Sequence, residues 1–321
     1  MKVSEEILAK LYNRKVKEAF LENYLEDDET RVSYAIYLNL ASRMEKILGK
    51  DLYLFSRDDV LSLCSDNFTS SHTALRAFYS VCKAYVGYCT DQGYNPTMIN
   101  PFMLVKFRQH ILPMLNEKGL EGKYLSEEEI WDIKDETSIN AQDFVCLLLP
   151  WYTIKGVKNS EIQNLRKSDV NEITNTVKLT EDDGSVREIE LPRKVINVIN
   201  EAWGQSEYQR RGREGFGGRC TAQLKPSDYI VRPTTVKGED FATAQTISAR
   251  VKKELIDAGH PTLSLNDIYM SSKLNKLKAI ENEKGKLEID DFKRIQFDFN
   301  DSTENYSNLL ELYNILNPKA E

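Results

Sequence analysis

The stretch IKGVKNSEIQNLRKSDV, residues 154 to 170, decides how the rest of the chain is read. Gly156 permits a tight turn. Asn159 or Ser160 then offers the short acceptor side chain that caps exposed helical N–H groups, Glu161 suits a first turn, and Ile162 and Leu165 point inward. A turn followed by a short helix is the prediction. Lys158 lies beside the start of that helix, where its ammonium and the free amides face one anion, so Lys158, Asn159 and Ser160 form a candidate phosphate seat. The alternative is a solvated loop lysine.

The chain around it has 321 residues, more than one domain usually holds, and its 41% hydrophobic and 29% charged residues suit a soluble protein with a substantial core. No run approaches the roughly 20 apolar residues of a membrane span, and MKVSEEILAKLYNRK lacks the apolar core of a signal peptide, so a cytoplasmic protein is expected. The five cysteines, Cys64, Cys82, Cys89, Cys146 and Cys220, contain no CxxC pair and fit reduced, mostly buried thiols. His72, His110 and His260 are widely separated, so no metal site is expected. GREGFGG at 212 to 218 lacks the spacing and the preceding strand of a nucleotide-binding loop, and no cofactor is expected. The net charge of −7 is unevenly spread: residues 1 to 140 hold 17 Lys/Arg against 22 Asp/Glu, whereas residues 193 to 278 hold 15 against 9. A basic segment on an acidic protein is compatible with gripping a phosphate backbone.

The first part of the chain reads as helix throughout, from EEILAKLYNRKVKEAFLENYL through DETRVSYAIYLNLASRMEKILGKD and RDDVLSLCSD to TSSHTALRAFYSVCKAYVGYCTDQGY. PMLNEKGLEGKYL, residues 113 to 125, is the linker candidate, which places one domain at 1–118 and a second at 119–321. Ser126 and Glu129 have capping-box spacing ahead of the second domain, and AQDFVCLLLPWYTI follows as helix. VNEITNTVKLT and VREIELP alternate as strands joined through EDDGS. A helix from about 193 to 206, a strand at DYIVRP and helices near 242–258, 265–284, 287–297 and 303–316 complete the order. The fold class is mainly α with a small antiparallel β-sheet: a helical domain followed by an α+β domain.

This order of elements resembles the tyrosine recombinase (phage integrase) family over nearly the whole chain. AYVGYCTDQGYNPTMINPF is similar to the exit of its SAM-like core-binding domain, YLSEEEI to the opening of its catalytic domain, and KGVKNSEIQNLRKSDV to its Thr-Gly-Leu-Arg-Ile-Ser-Glu-Leu and Leu-Arg-x-x-Asp segments. The family breaks DNA with a tyrosine nucleophile while two arginines, a lysine and a histidine-type residue stabilise the transition state. Carried over by resemblance, Lys158 falls where the first arginine belongs, and an ammonium lacks the planar fork that an arginine offers to a phosphorane. The family lysine matches about Asp182, in the acidic run Glu181, Asp182, Asp183. Lys178 shares that strand face, but four residues at ~3.3 Å each put it ~13 Å away. Asn266 and Tyr269 stand at the His-x-x-Arg positions. Tyr306 is the best match to the nucleophile, with Tyr313 the other, and core packing is the simpler role for both.

Losing several such groups together leaves little reason to expect turnover. The resemblance therefore implies a non-enzymatic two-domain clamp on duplex DNA, and within the family the chain resembles the recombinase-like master repressors of temperate SPbeta-type Bacillus phages, which hold the prophage in lysogeny. On that reading the DNA contacts are Lys158, Asn159 and Ser160; Arg250, Lys252 and Lys253; Asn266, Tyr269 and Lys273; and, in the N-terminal domain, Ser70, Ser71, Arg76 and Lys83. Operator DNA in the bacterial host's cytoplasm is the expected partner, with a phage-encoded antirepressor or accessory protein as a further one. Two other readings stay open at this point. One is a divergent active recombinase using Tyr306. The other is an interaction module whose last helix, YSNLLELYNIL, packs in cis or joins a second copy through Leu309, Leu310, Leu312, Ile315 and Leu316.

Overall fold

The computed structural model describes residues 3–67, 72–111, 122–180, 184–210, 220–234 and 238–317. The chain divides into two compact units, Met1–Glu121 and Gly122–Glu321.

The N-terminal unit is helical: α1 (Glu5–Leu8), α2 (Arg14–Asn23), α3 (Asp28–Leu48), α4 (Arg57–Asn67) and α5 (His72–Asp91). Its first predicted helix is two, because Asn13 adopts φ 47° and turns the chain between them. α3 starts where the Asp27 carboxylate accepts from the Thr30 amide at 2.7 Å and stops at Gly49, whose φ of 65° suits only glycine well. Phe20, Leu38, Leu52, Leu63, Phe78 and Tyr85 form its core. Inside that core lies a group that periodicity did not announce. Lys17 is fully buried and donates to both oxygens of buried Glu45 at 2.7 and 2.9 Å and to the Tyr12 carbonyl at 2.9 Å. Asp51 lies 3.8 Å away, accepting from the Tyr85 hydroxyl at 3.0 Å and from Asn13 at 2.8 Å.

The C-terminal unit begins with α6 (Glu127–Glu136), opened by the expected capping box: the Glu129 amide donates to Ser126 Oγ at 3.2 Å and the Ser126 amide to Glu129 Oε2 at 2.6 Å. Its centre is α7 (Ala141–Trp151), buried from Gln142 to Trp151, which is why VCLLLPW carries no polar stripe. After α8 (Ser160–Asn164) comes an antiparallel sheet of β1 (Val170–Asn171), β2 (Thr176–Thr180) and β3 (Val186–Glu190), in that order. The first predicted strand is thus itself a hairpin, turned through Asn175 at φ 55°. Val177 opposes Ile189 and Leu179 opposes Arg187, and the two β2 residues pack into the core. α9 (Arg193–Gly204) packs on α7. DYIVRP is no strand: it makes one bridge, Tyr229 to Arg166, and gives the Ile230 amide to the Leu165 carbonyl at 2.9 Å. A pair that the sequence did not suggest, β4 (Glu207–Gln209) and β5 (Thr221–Gln223), follows instead.

α10 (Ala244–Asp257) and α11 (Leu265–Lys284) pack against α7. The last helices, α12 (Ile289–Asp298) and α13 (Tyr306–Leu316), join α11 in a separate cluster of Leu277, Phe292, Ile295, Phe299, Leu309 and Leu312. The apolar face of α13 therefore lies on its own chain. Among the described residues no helix is long and apolar enough to cross a membrane. Cys64, Cys82, Cys89 and Cys146 are buried thiols and Cys220 is exposed. Burial pushes the thiols of Cys64, Cys89 and Cys146 up to about 12.

Candidate nucleic-acid interface

Between α7 and α8 the backbone is left-handed at Thr153 (φ 72°), Gly156 (φ 68°), Lys158 (φ 52°) and Asn159 (φ 65°). Gly156 is required there, since a Cβ would meet Ser160 Oγ at 2.3 Å and the Glu161 amide nitrogen at 2.8 Å. The loop is held from below by an ion pair between half-buried Arg187 and buried Glu161. Arg187, on β3, donates to Glu161 Oε1 through Nε at 3.0 Å and Nη2 at 2.8 Å, and Nη2 also reaches the Thr153 carbonyl at 2.9 Å. Glu161 Oε2 accepts from the Lys155 amide at 2.7 Å. A planar guanidinium thus braces the loop from within while the lysines remain on its outer side.

Capping differs from the expectation. The helix has five residues, and Asn159 enters it left-handed with no side-chain cap. Asn159 is buried and donates through Nδ2 to Ser248 Oγ at 3.3 Å, and Ser160 Oγ is buried without a hydrogen-bond partner among the described residues. Of the three residues expected to form a phosphate seat, only Lys158 is exposed, so any such seat rests on lysine charge.

Two cavities meet at this loop. One, of about 290 Å³, is lined by Lys155, Gly156, Lys158, Tyr269, Asn300 and Asp301 among others. The other, of about 540 Å³, is lined by Lys155, Lys158, Asn159, Ser248, Lys252 and Asn266 among others. Lys155, which sequence reasoning passed over, lines both, and its Nζ sits 4.8 Å from the centre of the Tyr269 ring. Its position three residues before Lys158, against the obligatory glycine, was the available clue. Glu161 is matched by Arg187 and Asp301 by Lys273, whereas neither Lys155 nor Lys158 has a carboxylate within ion-pair distance among the described residues. What the cavity offers is two ammonium groups, suited to attracting an anion by charge and without the bidentate geometry of arginine.

The other expected contacts divide. Asn266 and Lys253 are exposed, and Asn266 lines the larger cavity. Lys252 reaches that cavity while its ammonium donates to the carbonyls of Pro261 and Leu263. Arg250 is overturned as a DNA contact: it is 4% exposed, pairs with Asp143 at 3.4 Å and donates to Gln142 Oε1 at 3.1 Å and to the Arg232 carbonyl at 2.8 Å. Lys273 is overturned too, being 2% exposed and bonded to Gln296 Oε1 at 2.6 Å and to Asp301. Burial holds its ammonium below the ordinary lysine range, with Asp301 opposing that shift. Tyr269 is buried and donates its hydroxyl to the Phe299 carbonyl, so only its ring edges the cavity. Arg76 and Lys83 are half-buried on α5. Ser70, Ser71 and Asp182 lie outside the described residues. Tyr306 is not among the residues lining either cavity: it opens α13 half-buried, with Lys293 Nζ 5.5 Å from its ring centre. Tyr313 is buried and gives its hydroxyl to Glu281 Oε2 at 2.6 Å.

A helical N-terminal unit followed by an α+β unit with a small antiparallel sheet is the fold of the tyrosine recombinases and integrases. The Tn1549 transposon integrase, solved in complex with transposon right-end DNA, shares it at 12% identity with a TM-score of 0.50, covering 98% of this chain and 95% of that one. More specifically, the chain belongs to the MrpR family, matching the MrpR C-terminal catalytic domain over residues 124–320 and the MrpR N-terminal core-binding domain over residues 11–91. XerA recombinase (15% identity, TM-score 0.38, covering 98% of this chain and 100% of that one) and the integrase from mycobacterium phage Brujita (13%, 0.38, 96% and 92%) are also similar. No curated protein matches by sequence.

Proposed function

We propose that this protein is a sequence-specific duplex-DNA-binding repressor that maintains phage lysogeny, as the repressors of SPbeta-type phages do, and that it holds DNA without cutting it. The observation that carries the reading is the separation of charge from nucleophile. Lys155 and Lys158 line the cavities, while Tyr306 sits under Lys293 and the Tyr313 hydroxyl is committed to Glu281. A cavity whose free cations are ammonium groups, whose neighbouring guanidinium is taken by Glu161 and whose Tyr269 hydroxyl is taken by the Phe299 carbonyl is suited to binding phosphate and poorly equipped to attack it. The DNA-bound Tn1549 integrase of the same fold supports duplex DNA as the partner. Phosphate contacts would set register, and base edges in the grooves would supply specificity. The protein acts on operator DNA in the cytoplasm of a bacterial host, and an antirepressor or a second copy would act by changing that occupancy.

The test is to select bound fragments from phage and host genomic DNA with purified protein and to resolve each complex on native and denaturing gels. A site-specific, salt-sensitive shift that vanishes under denaturation is expected. A band that survives denaturation, in the wild type or in Lys158→Arg, would instead establish a tyrosine that still attacks DNA.

A further inference from the structure

The cavity holds an anion of its own. Asp301 lines the same 290 Å³ space as Lys155 and Lys158, and its carboxylate bonds the Lys273 ammonium. The side chains differ sharply in exposure, 42% for Asp301 and 2% for Lys273, so the carboxylate reaches inward from the rim to a buried cation. The segment carrying it is fastened along one face of α11. Tyr269 donates its hydroxyl to the Phe299 carbonyl, and Lys273, one helical turn on, holds Asp301. Asn300, at φ 54°, turns the chain back after α12, with its amide on the Phe297 carbonyl and the Asp301 amide on the Gln296 carbonyl, both at 2.9 Å. Two residues at or near the positions where the family places its arginine motif are thereby spent on tying down a strap.

We propose that residues 299–301 are an autoinhibitory strap whose Asp301 carboxylate, anchored on buried Lys273, opposes the binding of phosphate to Lys155 and Lys158 in the same cavity. This inference rests on the phosphate-binding reading of the same cavity and adds a regulator to it. A phosphodiester drawn to Lys155 and Lys158 carries the same unit negative charge as Asp301 and enters the same small space, so the two anions repel. Full engagement of a phosphate releases Asp301 from Lys273 and loosens residues 299–301. A partner that binds the freed strap would hold the cavity open, and one that clamps it would keep DNA out.

The test compares full-length wild type with Asp301→Asn in two assays: stabilisation by inorganic phosphate in thermal unfolding, and binding to a random-sequence duplex across a salt series. Asp301→Asn should bind phosphate about tenfold tighter, and its salt dependence on the duplex should steepen by about one in slope. Equal phosphate stabilisation and equal slopes in the two proteins overturn the strap and leave DNA binding intact. Tighter phosphate binding by the variant, with no duplex bound by either protein, sustains the strap and removes the DNA reading. If Asp301→Asn fails to fold, hydrogen exchange of residues 297–302 in the wild type decides: faster exchange on adding phosphate supports displacement, and unchanged protection overturns it.

Discussion

Two lysine clusters, one in each unit, are built from nearly the same parts. In the N-terminal unit Lys17 lies 4.7 Å from the centre of the Tyr85 ring and beside two carboxylates, Glu45 and Asp51. In the C-terminal unit Lys155 lies 4.8 Å from the centre of the Tyr269 ring, in a cavity that also holds Glu161 and Asp301. The difference is water. Lys17 is sealed, so its charge is consumed by its neighbours and it can only hold helices together. At the cavity the carboxylates are taken up by Arg187 and Lys273, and Lys155 and Lys158 line the open space without a carboxylate partner among the described residues. The same residue types fold one unit and equip the other, and burial decides which.

The largest effect that would break this contrast is expected at Lys17. Lys17→Ala strands Glu45 and Asp51 without a counter-ion and should lower unfolding free energy by about 3–5 kcal/mol, read from urea denaturation of the whole chain. A loss below about 1 kcal/mol, the range of exposed ion pairs, would put Lys17 in the same class as the cavity lysines. Arg250→Ala should behave as Lys17 does, because Asp143 is fully buried and loses its ion pair. A destabilisation of about 3 kcal/mol is expected, with the salt dependence of DNA binding unchanged in the protein that remains folded.

A smaller effect comes from pH. Burial, reinforced by the charge of Asp51 and opposed by Lys17, raises Glu45 from 4.5 to about 7. A raised carboxyl binds a proton in the folded protein that the unfolded chain has already released. Stability should therefore fall as pH rises from about 4.5 to about 7, by on the order of 1–3 kcal/mol. Denaturation midpoints for wild type and Glu45→Gln at about pH 5 and about pH 8 check this, since the variant should lose the slope. The smallest change in stability is expected for exposed Lys253: Lys253→Ala should stay within about 0.5 kcal/mol of wild type while reducing the salt slope of duplex binding by about one. A Lys253→Ala protein with an unchanged slope would remove that helix face from the interface.

Local structure was legible wherever local chemistry decides it. The Ser126 and Glu129 capping box, the acidic start of α3 and the helix AQDFVCLLLPW followed from residue types at fixed spacing. The site was legible only as a place. Lys158 could be located in its loop, but the roles of its neighbours depend on residues far away in sequence: Arg187 braces Glu161, Ser248 takes Asn159, and Asp301 answers Lys273. Arg250 is instructive because the clue was present. Ile247, Arg250, Val251 and Glu254 share one helical face and are all buried, whereas Lys253 stands on the opposite side, so basic residues adjacent in sequence never shared a surface. Lys273 repeats the lesson, one turn from Tyr269 and one from Leu277 on the inward side of α11. The β4–β5 pair had no alternating apolar pattern to announce it, and DYIVRP, apolar enough for a strand, bonds instead to the loop around Leu165.

The distribution of thiols makes the protein its own reporter. Cys220 is open to a maleimide in the native state, while Cys64, Cys82 and Cys89 in the first unit and Cys146 in the second are shielded by packing and, being poorly ionised, slow to react. Alkylation followed by peptide mapping would time the opening of each unit separately in one unmodified sample. Duplex DNA added to such a reaction would reveal which unit, if either, it tightens by which cysteine falls silent.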